Sequence, residues 1–482
     1  MIFADLHSPL HDTRFRDALF AVTSCVAVAV AWSFGPHPLL AVAAGILPLA
    51  AVMAVRTPFL VCLAFIVFSF FRIHEVFPQL YSLRIPQLLA MAALGVLAWH
   101  VLVTRKIVPV WSRQLAFFTA FFLLVTLGMA LASNKGAAWS AWSGNYVKIA
   151  VMTFAITWLT RESKDFALAV RCFVLAGIAV GLVALSNKAA GIGLVEGTRV
   201  SIGRSIGSVL GDPNDLALVL LFPGSFALAL LVTPGTTVLE RLLGAIGFGV
   251  ATIAIIATQS RGGLLGIVAV FGLVMLRRVK SRSLVLVLGG IALPLLFAMA
   301  GIAERASGGA AEEGLGESAM GRLYAWEAAA NMALAHPFTG VGLNNFYVNY
   351  FFYSPHWDGL NHAVHSTWFG VLAETGLLGL LIFVLMVVSM MFSIRRSLRI
   401  LSTIAPDSLH FDPQVNVMAL AIYSGLAGFL VSGTFLTQGF TWPLYILLAL
   451  TVATAQTVSR LEPIALRESD CNGNAVATSQ NA

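Results

Sequence analysis

The chain alternates long apolar runs with short polar connections. The runs are about 15–22 residues each, the length a helix needs to cross roughly 30 Å of hydrocarbon. They fall near 18–34, 38–55, 58–71, 85–103, 114–132, 147–160, 166–186, 213–232, 242–258, 263–276, 283–302, 367–393, 416–436 and 441–458, the third and tenth being the shortest. Barrel strands of ~9–11 residues are too short to account for them. The expected fold is therefore all-α, a polytopic transmembrane helical bundle of about 12–14 spans with a long outer loop containing short helices. Residues 1–302 would hold the first spans, 303–366 the loop with an amphipathic helix, and 367–460 the spans that complete the bundle. The polar remainder, 461–482, reads as a disordered cytoplasmic tail.

Composition agrees: of 482 residues 59% are apolar and 11% charged, against roughly a quarter charged in a soluble domain. The first run follows Arg14 and Arg16. It lacks a convincing small-residue cleavage site followed by a soluble domain and is expected to stay as an uncleaved span. Cys25, Cys62 and Cys172 fall in spans and Cys471 in the tail, which gives neither a disulfide framework nor a metal-type spacing.

Lys and Arg fix the orientation. With a cytoplasmic amino terminus, one side receives Arg14/Arg16, Arg56, Arg105/Lys106/Arg113, Arg161/Lys164, Arg241, Arg277/Arg278/Lys280/Arg282, Arg395/Arg396/Arg399 and Arg460. That is the positive-inside pattern, so the net charge of +7 is a topology signal and no nucleic-acid partner is implied. Both termini would be cytoplasmic, and the segments 187–212, 259–263 and 303–366 would lie outside.

Arginine should be scarce on that outer side, yet Arg199, Arg204, Arg261, Arg305 and Arg322 are all there. An arginine at the bilayer centre costs roughly 2.5–3.5 kcal/mol. The short Gln259–Gly263 turn instead places Arg261 at the outer edge, and Gly262 and Gly263 allow a neighbour to approach closely. SAMGRLYAWEAAANMALAHP predicts an amphipathic helix from near Ser318 to Pro337, with Arg322 and Trp326 one turn apart. On periodicity alone, it would lie at the interface with Trp326 as anchor; the bundle surface is the alternative.

Three histidines, His356, His362 and His365, crowd the mouth of the next span. His362 and His365 have metal-type spacing, but only Asp358 stands near them as a further ligand. His365, at the outer end of a helix, suits a general base that takes a proton from a hydroxyl nucleophile. Asp212-Pro213-Asn214-Asp215 reads as a helix N-cap with Pro at the first turn. Its free backbone N–H groups would attract an anion, although the two carboxylates oppose that.

A cluster of cations beside one base at the lipid boundary fits an anion with a greasy tail, a polyprenyl diphosphate. At an effective dielectric near 20, a guanidinium about 4 Å from a phosphate charge contributes roughly 4 kcal/mol before desolvation.

At these residues the sequence resembles the bacterial O-antigen ligase and O-antigen polymerase superfamily. Three ordered motifs carry the resemblance: S-R-G-G at Ser260–Gly263, G-R-x-x-x-W ending in H-P-F-T-G-V-G-x-x-x-F from Gly321 to Phe346, and H-S-x9-G-x-x-G from His365 to Gly379. The resemblance covers about residues 200–390 and implies a GT-C-type, metal-independent inverting glycosyltransferase without cofactor. It further implies transfer of a glycan from undecaprenyl diphosphate to an acceptor on the periplasmic side of the bacterial inner membrane. On that pattern His365 would be the catalytic base and Arg261 and Arg322 would contact the donor diphosphate; beside the pattern, Arg204 is a further candidate for that contact, and His362, Ser260, Trp326 and Asn214 are candidate supporting residues.

Ligation to the lipid A core is the first expectation and polymerisation onto a lipid-linked glycan the second. Ligases often continue the last motif as Gly-x-x-Gly-Thr-Thr-Gly, whereas Gly379 here precedes Leu380-Leu381-Ile382. A protein O-oligosaccharyltransferase usually carries a further carboxy-terminal region. A transporter or flippase would need an internal repeat and a midplane path, and the polar residues gather on one face instead.

Overall fold

In a computed structural model of the chain, the described residues are 51–76, 85–279, 281–300 and 319–479, with isolated positions between 21 and 33. Most of the second expected span, with Arg14, Arg16, Arg305 and Ser318, lies outside them. Among the described residues, nine helices are long and apolar enough to cross a membrane.

The helices follow the apolar runs: α1 Pro58–Phe70, α2 Ile85–Ala98 with a π turn Trp99–Val103, α3 Arg113–Leu131, α4 Lys135–Ala141, α5 Val147–Leu159 and α6 Ser163–Ala190. After a looped segment come α7 Pro213–Val232, α8 Val238–Thr258, α9 Arg261–Arg278 and α10 Arg282–Met299. The remainder is α11 Ala319–Ala335, α12 Phe346–Tyr353, α13 Thr367–Leu401, α14 Pro413–Gly433 and α15 Trp442–Ser479. Side chains just before the first turn set many of the starts. Ser112, Thr237, Ser260, Ser281, Ser366 and Asp412 each accept from a backbone N–H two or three residues on.

Helices α7 and α14 form the middle of the bundle, with 83% and 78% of their apolar windows buried, whereas α10 has 6% buried and sits at the rim. Glycine lets α9 into that middle. A Cβ on Gly263 would come within 2.6 Å of Ala217 Cβ on α7, and one on Gly266 within 2.9 Å of Leu221. The close approach expected of the paired glycines is thus present.

Three features depart from the sequence reading. The tail is helical to Ser479, instead of disordered after Arg460. Leu461 packs on the core and Arg396 holds Glu462 at 2.8 Å, which carries the helix past its membrane-length portion. Helix α13 is broken at Gly376, whose φ of 71° is left-handed. The break fits a partner: Leu377 N donates to Pro337 O and Val341 N to Ala373 O. A Cβ on Gly340 or Gly376 would collide with the opposite backbone at 2.3 and 2.5 Å. The glycines of the second and third motifs therefore interlock two chain segments.

The third departure concerns α11, which docks on protein. Its Ala325, Ala328, Ala329 and Met332 are buried with Val341, Phe346, Tyr350, Val364 and Ala373 in a small separate core. Alanines spaced three and four apart give a flat face that accepts α12 and α13 at short range, so the apolar stripe finds a protein partner.

Candidate functional site

The site lies where α1, α8 and α14 end and α7, α9, α13 and α15 begin. Arg261 is the first residue of α9 and is exposed. Its preceding Gln259 adopts φ 53°, and the buried Ser260 accepts from Gly263 N at 3.2 Å. Ser260 therefore works as a helix cap. The following Gly262 lies against Phe435 and Ser432 of the α14 end.

The segment that follows His365 reaches the same α14 end. Two residues on, the Thr367 hydroxyl donates to Leu436 O at 2.7 Å and accepts from Gln438 N at 3.1 Å. Gln438 Nε2 in turn donates to Asp215 Oδ1 at 2.7 Å, and the Asp215 carboxylate is within electrostatic reach of both His365 and Arg72. His365 has φ 42°, a conformation that costs a non-glycine residue roughly 1–3 kcal/mol and persists where surroundings impose it.

Arg322 joins through α11. One turn on, Trp326 Nε1 donates to Val364 O at 3.1 Å, next to His365, and its ring stacks on Phe369 at 5.0 Å. Trp326 is thus a clamp on the His365 segment instead of a membrane anchor. Three segments thus meet here: Gly262, next to Arg261, and Thr367, two residues after His365, touch the stretch 432–438, and Trp326, one turn after Arg322, holds Val364.

Other candidates are placed differently. Asn214 Oδ1 accepts from Arg199 Nη2 at 2.9 Å, and Arg199 Nε donates to Thr258 O at 3.1 Å. Asn214 therefore ties α7 to the α8 end through a buried arginine. Arg204 stays exposed on its loop, its Nη1 3.5 Å from Gly211 O. Asp212 caps α7 as expected, accepting from Asn214 N and Asp215 N.

The three histidines diverge. His356 stacks on Tyr324 at 3.9 Å and lies 3.4 Å from Glu327. His362 is held by Asp358 at 3.0 Å. Partial burial opposes ionisation of Asp358, but hydrogen bonds from His362 and Leu360 N hold its carboxyl below the usual range. Among the described residues, no group of three His, Cys, Asp or Glu is placed to hold a metal ion.

A further set of polar residues flanks the site, beyond those singled out by the sequence. Arg72, with φ 50°, directs Nη1 to Glu75, whose other oxygen accepts from Ser208. Burial holds the neighbouring His74 imidazole below its ordinary value; Glu75 works against this and Arg72 with it. The signal was available in FRIHE, since Arg72 is one more arginine on the sparsely charged side.

Residues 246–384 match the family model described as O-antigen ligase. The matched segment contains Arg261, Arg322 and His365. The family is one of membrane glycosyltransferases of ligase or polymerase type, acting on lipid-linked glycans. No curated protein matches the sequence.

Proposed function

We propose that the protein transfers a glycan from undecaprenyl diphosphate to an acceptor hydroxyl at the periplasmic face of the bacterial inner membrane. Its first assignment is an O-antigen ligase that uses the lipid A core. The observation that supports this reading is that three motif segments meet: Gly262, next to Arg261, lies against Ser432 and Phe435, Thr367, two residues after His365, bonds to Leu436 O and Gln438 N, and Trp326, one turn after Arg322, bonds to Val364 O.

In the proposed reaction, neutral His365 takes the proton of the acceptor hydroxyl as its oxygen attacks the anomeric carbon. The bond from that carbon to the diphosphate oxygen breaks, its electron pair leaves with the diphosphate, and the configuration inverts. Arg261 and Arg322 stabilise the departing charge with directed guanidinium hydrogen bonds. Diphosphate is a good leaving group, so the reaction needs neither an acid nor a metal to expel it. For the donor tail, an apolar cavity of about 210 Å³ between α8, α9 and α10 is lined by Phe248, Ile267, Phe271, Met275 and Leu288. It runs along the helix that Arg261 heads.

The test is to incubate purified protein with a polyprenyl-diphosphate glycan and separate acceptors under chelation. Glycan joined to lipid A core supports ligation; glycan joined to a second lipid-linked unit supports polymerisation, the reading that Leu380-Leu381 after Gly379 favours. No transfer to either acceptor rejects the proposal.

A further inference from the structure

Beside the stretch 432–438 is a pocket that the donor reading leaves unused. It has a volume of about 100 Å³ and lies between the α1 end, the α7 start and the α15 start. At about 15 Å³ per water-sized group this holds on the order of seven such groups, the scale of one sugar ring.

Its polar walls are Ser69, Arg72, Asn145, Asp215, Gln438 and Thr441, and Trp442 supplies an aromatic wall. Ser69 is 9% exposed, and its hydroxyl has no hydrogen-bond partner among the described residues. A buried hydroxyl left without a partner costs roughly 1–3 kcal/mol, so a ligand that meets it is favoured. Asn145 is exposed at the rim.

Charge argues against a second diphosphate site. Arg72 already holds Glu75, and the carboxyl of Asp215 on the wall offers an anion no attraction. An amide, a hydroxyl, a carboxyl group and an indole around a hollow with no surplus positive charge suit a neutral polyhydroxylated ring.

We infer that this pocket binds one neutral sugar ring, the terminal unit of the acceptor, and presents its hydroxyl along the Asp215 edge towards His365. The assignment to the acceptor rests on the proposed glycan transfer; the binding of a sugar ring does not.

The experiment is saturation-transfer NMR on the full chain in lipid nanodiscs, with methyl glycosides of glucose, galactose and mannose as probes and inorganic diphosphate as a separate ligand. The wild type should transfer saturation to at least one glycoside. Asn145→Ala should weaken that signal roughly three- to tenfold, the loss of one or two neutral hydrogen bonds. Ser69→Leu, which fills the pocket, should abolish it. Diphosphate binding should survive both changes and fail in Arg261→Ala, which separates the pocket from the donor site. No glycoside signal in the wild type, or undiminished signals in both variants, overturns the inference. In transfer assays Asn145→Ala should raise the acceptor KM and leave the donor KM unchanged; the reverse pattern overturns the acceptor assignment.

Discussion

The two ends of the helix bundle use arginine in different ways. At the charged end, Arg171 pairs with Glu240 and Arg396 with Glu462 while remaining 48% and 70% exposed, and Arg161 rests on Lys106 O. At the other end, Arg199 is 3% exposed and bonded to two elements, and Arg72 directs its guanidinium to the buried Glu75. Charge at the first end fixes orientation by its presence alone, and its geometry is loose. At the second end the fold constrains Arg199 and Arg72 through buried partners, and such fixed groups can frame a site that must position reacting groups.

The strongest way to break this contrast is His365→Ala. Transfer should fall by about 10²–10⁴, the range of a lost general base, with diphosphate binding and helix content unchanged. Normal transfer in that variant rejects the role given to the imidazole.

Arg199→Ala tests whether the buried cation is architectural. It leaves Asn214 Oδ1 and Thr258 O without their donor, a loss of about 2–4 kcal/mol. The purified protein should melt at a markedly lower temperature, and Arg199→Lys should recover only part of the loss because one ammonium cannot span both partners. An unchanged melting temperature would make Arg199 as dispensable as the arginines of the far end.

Arg261→Lys sharpens the comparison from the opposite direction. The side chain is exposed, so stability should hold while kcat/KM falls roughly 10–100-fold through loss of directed phosphate contacts. Full activity would show that charge at the start of α9 is sufficient.

The sequence carried the helices and the place of Arg261 at a helix end because both follow from local apolar length and from one glycine-rich turn. It carried the Asp212 cap for the same local reason. What it missed depends on distant pairing. Asp215 looks like part of a cap, and only the approach of Gln438, more than two hundred residues away, gives it a place in the site. Ser260 and Asn214 belong to suggestive motifs, yet their polar atoms are taken up by Gly263 N and Arg199. The helix at α11 has the stripe of an interfacial helix, and nothing local tells that its alanines face α12 and α13.

The smallest expected effect is at the far end. Arg396 and Glu462 are joined by two hydrogen bonds, at 2.8 and 3.1 Å. Arg396 is mostly solvated, so water replaces most of what the pair supplies, and Arg396→Ala should change stability by no more than about 1 kcal/mol. Glycan transfer should be unaffected, since the pair lies at the opposite end of α13 from His365. A proteolysis time course around residue 463 gives the finer readout, because the ion pair is one of the contacts that carry α15 beyond Arg460. Cleavage there should quicken in the variant; a change in transfer rate instead would mean that the two ends are coupled and that the division between topology and site is wrong.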